Sequence, residues 1–545
     1  MRKRAKKGPL SVHAIAGSYV VLLGINMTEK ASKGVLGFAI ERIDHTNNNK
    51  HDWLAGFKTF PGANVPKGSF VSTKKHPIQS FLWSDFTTRL AHSYTYRVVA
   101  MRGEPGNLTE GESVEVRVDM EDEAKNKHAI FFNRGVAGSQ AYARKFGNEV
   151  PSKVSNNRAW EWLSRGLEEA ILAFIAQAKG KKYGLRAALY EFQYGPVLEA
   201  FKAASESGAD VKIVFDARPN SQKYPDEANR KAIEKAGIET ITLPRTKSPS
   251  YISHNKFIVL LENGEPKQVW TGSTNLTQGG IFGHSNVGHR VRDPETAARY
   301  LDYWEQLSTD PEAKQLRGWT EEFTPVPAAI PESGTITPIF SPRPSLTALE
   351  WYRDRMDQAS TAVFFTAAFG VNDLFSKVLS TQKGYLRYVL LESEGKDIEA
   401  IRKEKANRIA VGNVLGSGAF ERWLRERTVP GLNTHVKYIH TKYMLIDPLS
   451  KDPLVITGSA NFSNASTKNN DENMLVIRGD KRVADIYLGE FMRLFNHFYF
   501  RYIKQNFNAA DAETGKKGFL ATDDSWREDY YVKGTVKNME RLYFA

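Results

Sequence analysis

The chain has 545 residues, of which 41% are hydrophobic, 11% are aromatic and none is cysteine. This composition is ample for packed cores and excludes general disorder, and the length predicts about three domains. The lack of cysteine excludes disulfides, cysteine nucleophiles and thiolate metal sites. The 75 Lys and Arg residues outnumber the 62 Asp and Glu residues, which gives a formal charge of +13. Such a charge favours polyanionic partners, including nucleic acid and anionic lipid surfaces.

No apolar run reaches the ~18 residues that a membrane-spanning helix needs. The basic start, residues 1–7, resembles the front of a signal peptide, but the apolar stretch behind it is short and the small residues precede it. We therefore expect an unprocessed, cytoplasmic protein with no transmembrane segment, whose basic start is a solvated tail. The oligomeric state is left open.

Residues 1–122 are predicted to form a small all-β sandwich. Apolar residues cluster or alternate in strand-like stretches separated by Gly, Pro and Asn. These stretches lie at 18–23, 81–83, 94–100 and 113–118. The string at 94–100, Tyr-x-Tyr-Arg-Val-x-Ala, resembles the penultimate strand of fibronectin type III modules. Catalytic residue types do not gather here, so we predict a packing or recognition role.

Beyond a charged connector at 121–127, strands alternate with amphipathic helices, which is the α/β pattern. Apolar residues recur at helical spacing from 158 to 177. A strand at 185–190, a helix at 196–204 and a strand at 211–215 are predicted to follow.

An internal repeat divides the α/β part of the chain. Each copy has a His-x-Lys motif on an apolar strand, followed by Gly-Ser-x-Asn, and the His-to-Asn spacing is 21 residues in both (275 − 254 and 461 − 440). The repeated residues are His254, Lys256, Ser273 and Asn275 in the first copy, and His440, Lys442, Ser459 and Asn461 in the second.

Two homologous lobes are the simplest explanation of this repeat. We place lobe one at 125–323 and lobe two at 324–508, with a Pro-rich joint at 324–344. The C-terminal extension, 509–545, is rich in aromatic residues and is predicted to pack on the body.

The repeated residues suit phosphoryl transfer without a metal or any other cofactor. Residues i and i+2 of a strand share a face, so His254 lies beside Lys256, and His440 beside Lys442. Two such pairs around one phosphate would supply a nucleophile, a general acid and cationic charge. Asn275, Asn461, Ser273 and Ser459 are predicted to hold phosphate oxygens.

The motif His-x-Lys-x-x-x-x-Asp followed by Gly-Ser-x-Asn resembles the signature of the phospholipase D superfamily. The resemblance covers residues 125 to 505. It implies an α/β fold of two lobes related by a pseudo-two-fold axis, one shared active site, a covalent phosphohistidine and no metal. Members of that superfamily cleave phospholipids, nucleic acids or DNA–protein links.

Only lobe two matches the full signature, with Asp447 at the aspartate position and with Glu472 resembling the carboxylate that holds a histidine ring in related enzymes. In lobe one, Leu261 replaces the aspartate and Asn286 stands at the position equivalent to Glu472. Tyrosyl-DNA phosphodiesterases also lack that aspartate. A carboxylate behind His440 would strengthen it as a nucleophile, so we predict that His440 attacks and that His254 is the general acid.

Other polar and aromatic residues lie near these motifs. We expect His284, His289 and His435 to be surface or lining residues and not metal ligands. Tyr190, Phe192 and Phe369 follow strands that open toward the predicted pocket. They could stack a base or contact a lipid, although core packing is the simpler role.

Three functions fit these observations. The favoured one is a nuclease, because of the basic charge and the aromatic residues near the pocket. The alternative is a phospholipase D that hydrolyses phospholipid headgroups, as a toxin-like effector would, although no long apolar loop is present to dock on lipid. The third is a non-catalytic phosphate-binding protein.

Overall fold

The computed structural model describes residues 1–66, 69–123, 126–135, 140–147, 149–218, 225–247, 252–412, 438–506 and 519–545. A front β module precedes an α/β body that contains two seven-stranded sheets. Across these ranges, no helix is both long and apolar enough to cross a bilayer.

The front module is built from antiparallel strands. They are β1 Arg2–Lys7, β2 Leu10–Ala16, β3 Val21–Met27, β4 Gly37–Asp44, β5 Lys50–Trp53, β6 Ala55–Gly56, β7 Val71–Ser72, β8 Leu82–Asp85, β9 Ser93–Glu104 and β10 Asn107–Asp119. Two four-stranded sheets, β1-β2-β3-β8 and β10-β9-β4-β5, share one apolar core, while β6 and β7 form a separate ribbon. A short helix, Glu29–Ser32, follows β3. The predicted small all-β unit is therefore present.

The basic start is not the solvated tail that we predicted. Residues 2–7 form β1, which pairs with β2 along its whole length. The Met1 amino group donates a hydrogen bond to Glu121 at 2.7 Å, and the Arg2 guanidinium donates to Asp485 at 2.7 Å. Charge alone suggested a solvated segment, but the partly exposed Glu121 and the buried Asp485, both on distant parts of the chain, pair with these cations.

Lobe one is organised around the first seven-stranded sheet. Its strands are β11 His128–Phe132, β12 Tyr183–Leu189, β13 Asp210–Asp216, β14 Thr242–Arg245, β15 Lys256–Glu262, β16 Glu265–Gly272 and β17 Val287–Val291. Its helices are Gln140–Phe146, Arg158–Ser164, Leu167–Ile175, Gly195–Glu206, Asp226–Ala236, Pro294–Ser308 and Ala313–Phe323. Short helical turns span Pro151–Lys153, Ser155–Asn157, Glu239–Ile241 and Gly279–Gly283. The strand order is β11-β17-β16-β15-β12-β13-β14.

Lobe two repeats this arrangement. Its strands are β18 Ile336–Ser341, β19 Ala362–Ala367, β20 Leu386–Leu391, β21 Asn407–Val411, β22 Tyr443–Ile446, β23 Leu454–Gly458 and β24 Glu472–Arg478. Its helices are Thr347–Asp357, Asp373–Leu379, Ile398–Lys403, Asn464–Lys468 and Lys481–Asn506. The order β18-β24-β23-β22-β19-β20-β21 is that of lobe one, strand for strand. The α/β duplication is thus confirmed, although β18 lies inside the span predicted as a joint.

The helix predicted from 158 to 177 is broken. Arg165 and Gly166 have φ angles of 52° and 93°, and separate the helices Arg158–Ser164 and Leu167–Ile175. The apolar spacing continues through the break, so periodicity alone could not reveal it. Glycine adopts such a φ freely and marks the position of the turn.

The lobes meet through reciprocal backbone hydrogen bonds beside the two His-x-Lys motifs. Ser285 N donates to Tyr438 O at 2.8 Å, and Asp471 N donates to Ile252 O at 3.0 Å. Each acceptor lies two residues before the histidine of its motif. The two contacts are therefore equivalent, as a pseudo-two-fold relation between the lobes requires.

The C-terminal residues 519–545 pack onto the front module and lobe two. A short helix, Asp524–Tyr530, places Trp526 against Phe81, and a second helix, Val536–Phe544, ends with Phe544 fully buried. The Tyr388 hydroxyl in β20 bonds to Glu540 in that last helix. The extension therefore links the two modules.

Candidate active site

The two His-x-Lys motifs adopt the same local structure. Lys256 Nζ donates to the carbonyl oxygen of His254 at 2.6 Å, and Lys442 Nζ donates to that of His440 at 2.6 Å. All four residues are at least 95% buried. In each motif, a hydrogen bond to the backbone of the histidine therefore fixes the position of the lysine ammonium group.

Each histidine is held by a residue of the opposite lobe. His254 Nδ1 lies 2.9 Å and 3.0 Å from the two carboxylate oxygens of Glu472. His440 Nδ1 lies 2.9 Å from Asn286 Oδ1. The expectation that Glu472 supports His440 is wrong, because the contact between the lobes brings the start of β24 against lobe one and residues 285–286 against lobe two.

Hydrogen bonds fix the orientation of the Asn286 amide. Its Nδ2 donates to Gly280 O at 2.7 Å, so its Oδ1 is the atom that faces His440 and accepts a hydrogen bond from Nδ1–H. Both histidines therefore carry a proton on Nδ1, which leaves the lone pair on Nε2. Only His254 has a carboxylate that stabilises positive charge on its ring.

Ser273 and Ser459, which we predicted to bind substrate, contact the two residues behind the histidines. The Ser459 hydroxyl donates to Glu472 at 2.7 Å, and the Ser273 hydroxyl donates to Asn286 at 2.8 Å. Both serines are fully buried, and each hydroxyl also accepts a backbone N–H. Their hydrogen-bonding capacity is used within the protein, so they orient the groups behind the histidines.

Asp447 lies away from the site. It follows β22, whereas Lys442 precedes that strand, so about 16 Å of extended chain separates them. Its carboxylate accepts hydrogen bonds from the backbone N–H groups of Ser360, Thr361 and Ala362, at 2.6–2.9 Å. The motif aspartate, which we predicted to be catalytic, therefore holds the turn before β19.

The two asparagines have unequal surroundings. Asn275 Nδ2 donates to Glu191 at 2.5 Å. The strand pairing shows which residues of the two lobes are equivalent. Ile258 and Met444 each lie four residues after the histidine of their motif, and they pair with Ala187 and Phe365, respectively. Counting four residues onward from Ala187 and Phe365, Phe369 occupies in lobe two the position of Glu191 in lobe one. One side of the site thus has a carboxylate and the other a 62% exposed phenyl ring.

Glu191 was not identified from the sequence. Its position two residues after β12, beyond the strand end that pairs with Lys256, was the available signal. Of the aromatic residues that we considered, Tyr190 has its ring centroid 4.9 Å from that of His254 and 5.2 Å from Lys256 Nζ. Phe192 is fully buried and packs in the core.

Burial controls the protonation of the site. It lowers the pKa of His254 to about 4 against the opposing effect of Glu472, and it lowers the pKa of His440 well below the usual value, with a further contribution from Lys442. Burial also lowers the pKa of Lys256 to about 8, although the carboxylates of Glu472, Glu191 and Asp216 oppose it. The charge of Lys256 lowers the pKa of His440, so the two motifs lie within electrostatic reach of one another.

Of the remaining histidines, His289 differs from our expectation of surface or lining residues. His284 lies beside His440, with ring centroids 4.9 Å apart. His289 is fully buried in β17 and lies 2.9 Å from His128, so it is not a surface residue. His435 lies outside the described residues. Within the described ranges, no three His, Asp or Glu side chains converge as metal ligands would.

Two segments of the sequence match a known protein family. Residues 171–308 and 373–495 match the family model described as cardiolipin synthase, PLD-like domain. No curated protein matches the sequence.

Three solved structures illustrate the similarity to known folds. Phosphatidylserine synthase from Haemophilus influenzae Rd KW20 aligns with a TM-score of 0.43 and 13% identity, over 65% of this chain and 91% of that one. Polyphosphate kinase from Porphyromonas gingivalis aligns with a TM-score of 0.37 and 11% identity, over 57% of this chain and 46% of that one. Yeast tyrosyl-DNA phosphodiesterase aligns with a TM-score of 0.30 and 14% identity, over 55% and 83% of the two chains. This chain therefore spans about half the length of the polyphosphate kinase.

The two segments that match the family model lie one in each lobe, and each contains one His-x-Lys motif. Both halves of the site therefore lie in segments that are similar to a phospholipase D-like domain.

Proposed function

We propose that this protein is a metal-independent phosphodiesterase that works through a phosphohistidine on His254 and cleaves nucleic-acid phosphodiesters. The observation that carries the proposal is the reciprocal support of the two histidines, with Glu472 behind His254 and Asn286 behind His440. It reverses the roles that we predicted from the sequence. The reasoning is the same as before: the histidine that a carboxylate supports is the better nucleophile. In this structure Glu472 supports His254.

In the first step, the Nε2 lone pair of His254 attacks phosphorus and forms a P–N bond while the bond from phosphorus to the leaving oxygen breaks. Positive charge develops on the His254 ring, and the Glu472 carboxylate stabilises it. Lys256 and Lys442 stabilise the non-bridging oxygens. The bound phosphodiester anion raises the pKa of His440, which takes up a proton on Nε2 and gives it to the leaving oxygen.

In the second step, water attacks phosphorus while His440, now neutral, removes a proton from that water. The P–N bond breaks and the electron pair returns to Nε2 of His254. The amide behind His440 suits this double role, since a neutral acceptor orients the ring without holding its proton as strongly as a carboxylate would. The products are a phosphomonoester and an alcohol.

The choice of nucleic acid rests on charge and on the aromatic groups at the site. The chain has a formal charge of +13, which favours a polyanion over an isolated phosphate. Phe369 presents an exposed ring at the strand end next to the site, where a base can stack on it.

The test is one activity panel with a chelator present in every assay. We expect cleavage of DNA or RNA oligonucleotides that resists EDTA and is abolished in His254→Asn. Release of choline or ethanolamine from liposomes with no cleavage of nucleic acid would instead identify a phospholipase. Failure to hydrolyse any phosphodiester, including bis-p-nitrophenyl phosphate, would identify a non-catalytic phosphate-binding protein.

A further inference from the structure

Each lobe has a carboxylate at the same strand end, beside the segment that carries its histidine. In the common strand order of the two sheets, β13 and β20 occupy the same place. Asp216 is the last residue of β13, and Glu392 directly follows β20. Each comes one residue after the last pair that joins its strand to the neighbouring β12 or β19. The two carboxylates are therefore equivalent residues of the duplicated fold.

These carboxylates accept hydrogen bonds from the backbone just before the two histidines. Asp216 Oδ2 accepts from Ser253 N at 2.8 Å, and Glu392 Oε2 accepts from Ile439 N at 2.7 Å. Each donor immediately precedes the histidine of its motif. Asp216 is fully buried and Glu392 is 6% exposed, so both bonds form away from bulk water. The same contact is therefore made in both lobes, although the two acids differ in length by one methylene.

Strand pairing does not hold the histidines themselves. β15 begins at Lys256 and β22 begins at Tyr443, so both histidines lie in irregular segments ahead of these strands. The N–H groups of Ser253 and Ile439 belong to neither strand ladder, and a buried N–H group without an acceptor is costly. The carboxylates supply that acceptor and fix the path of the backbone where it enters each histidine.

The acceptor in lobe one is a charged group at neutral pH. Burial raises the pKa of Asp216 to about 6, although the hydrogen bond from Ser253 N and the nearby Arg218 favour its ionised form. Arg218 Nε lies 3.8 Å from Asp216 Oδ2. A hydrogen bond to an ionised acceptor is stronger than one between neutral groups, so this contact is a firm restraint on the segment.

The opposite lobe holds the same segments at other atoms. The Ser253 hydroxyl donates to Asp471 Oδ2 at 3.0 Å, and Asp471 N donates to Ile252 O at 3.0 Å. In the other motif, His440 N donates to Ser285 Oγ at 3.3 Å. Each segment thus lies between a carboxylate of its own lobe and a contact from the other lobe. The backbone and the ring of each histidine are therefore restrained by different residues.

We propose that Asp216 and Glu392 are positioning residues, each of which fixes the backbone of one motif so that Nε2 of its histidine points at phosphorus. Asp216 serves the nucleophile, His254, and Glu392 serves the general acid, His440. This inference deepens the proposed function and rests on it. A displacement of about 1 Å at a reacting atom can cost about 10²-fold in rate, so removal of either carboxylate should slow the step that its own histidine performs.

The experiment follows p-nitrophenolate release from bis-p-nitrophenyl phosphate before the steady state, with rates expressed per folded protein. Asp216→Ala should slow the first release by about 10- to 100-fold, because His254 makes that attack. Glu392→Ala should keep the rate of the first release, since p-nitrophenolate leaves without a proton, and should slow the later water step by a similar factor. Asp216→Asn and Glu392→Gln keep an oxygen that accepts the backbone N–H and should restore most of the lost rate.

Glu123→Ala is the matched control. Glu123 is also a buried carboxylate, and its Oε2 accepts a hydrogen bond from Ile130 N at 2.9 Å, at the far side of lobe one from the motif histidines. Its removal should leave both phases unchanged in the folded protein.

A second measurement needs no turnover. The imidazole ¹⁵N signals of the two histidines can be assigned with His254→Asn and His440→Asn. Asp216→Ala should shift the signals of His254 and leave those of His440 in place, and Glu392→Ala should do the opposite.

Equal slowing of both phases in Asp216→Ala and Glu392→Ala would overturn the proposal, because it would reflect a general loss of structure. So would a failure of Asp216→Asn and Glu392→Gln to restore the rate. If Glu392→Ala slows the first release and Asp216→Ala slows the water step, then each carboxylate still serves its own histidine and only the proposed roles of the histidines are reversed. Imidazole signals that shift as expected in a protein that cleaves no phosphodiester refute only the proposed function, whereas cleavage that is insensitive to both carboxylates refutes only their positioning role.

Discussion

Glu472, in lobe two, holds the imidazole of His254, in lobe one, with both of its carboxylate oxygens within 3.0 Å of Nδ1. Asn286 makes the reciprocal contact from lobe one to His440. Neither lobe therefore contains a complete His-x-Lys site, because each supplies the group that orients the other's histidine. The unequal pair, a carboxylate and an amide, is the basis on which we propose His254 as the nucleophile and His440 as the general acid.

The first prediction concerns the covalent intermediate. In His440→Asn, bis-p-nitrophenyl phosphate should still react with His254, because p-nitrophenolate leaves without a proton. Loss of the general base should slow the water step by about 10²- to 10⁴-fold. We expect a burst of one p-nitrophenolate per protein and a phosphoryl adduct on His254, mapped by mass spectrometry after an alkaline quench.

His254→Asn is the matched control for that experiment and should show no burst. If the burst survives in His254→Asn, with the adduct on His440, and disappears in His440→Asn, then the roles of the histidines are reversed.

The second prediction concerns the groups behind the histidines. Glu472→Gln keeps the shape of the side chain but removes the charge that stabilises the His254 ring, so kcat/KM should fall by about 10²- to 10⁴-fold. Asn286→Asp places a carboxylate behind His440 and should cost less activity, because it leaves the nucleophile intact. Steady-state kinetics on an oligonucleotide measure both. A larger loss in Asn286→Asp than in Glu472→Gln would show that His440 is the nucleophile.

The third prediction separates Asp447 from catalysis. Its carboxylate accepts three backbone hydrogen bonds and one from the Thr361 hydroxyl, so Asp447→Ala should lower the free energy of unfolding by about 2 kcal/mol. The kcat of the folded fraction should stay close to that of the wild type. Urea unfolding and active-site titration measure the two quantities.

Asp357→Ala, which removes a carboxylate that is 41% exposed, is the control that should leave both the free energy of unfolding and kcat unchanged. If Asp447→Ala is as stable as the wild type but loses most of its kcat, then Asp447 takes part in catalysis.

The repeat allowed the duplication and the core residues of the site to be predicted. Equal His-to-Asn spacing required equal strand–turn geometry, and the two sheets have the same strand order. The partner of Glu472 could not be predicted, because it depends on how two distant lobes meet. Nothing in residues 470–473 indicates which histidine they approach.

The sequence also did not predict the presence of Glu191 at the site or the role of the two motif serines. Glu191 is a single carboxylate whose equivalent position holds Phe369, so the repeat gives it no counterpart. The serines of the Gly-Ser-x-Asn motifs were correctly placed near the site, but their role depends on side-chain contacts with Glu472 and Asn286. Residue type alone does not distinguish a serine that binds substrate from one that orients a neighbour.

The fourth prediction is a basic limb in the pH profile of kcat/KM, which reports groups of the free enzyme. Lys256 has a pKa of about 8, so activity should fall above about pH 8 as its ammonium group loses a proton. Glu191 raises the pKa of both Lys256 and Lys442, so Glu191→Gln should move the limb to lower pH. Glu199→Gln, on an exposed helix position, should leave it in place. An unmoved or upward-shifted limb in Glu191→Gln would show that these lysines do not control it.

The fifth prediction concerns stability in acid. Burial lowers the pKa of His13, His128 and His254 to about 4 in each case. At each of these imidazoles the unfolded chain therefore binds more protons than the folded protein between about pH 4 and pH 6.5, so each contributes stability that rises with pH. Asp216, whose pKa burial raises to about 6, contributes in the opposite direction. The free energy of unfolding should fall as the pH drops below 6.5, by roughly 1.4 kcal/mol per pH unit for each such histidine.

Urea unfolding across this window measures the slope. His13→Gln removes one buried imidazole and should reduce the slope by about one proton. His51→Gln, which replaces a side chain that is 58% exposed, should not change it. The buried histidines keep their neutral form because burial penalises the charged ring more than the neighbouring carboxylates favour it. The same slope in His13→Gln and in the wild type would therefore mean that the His13 imidazole is charged in the folded protein, because only a group that binds protons differently in the two states contributes to the slope.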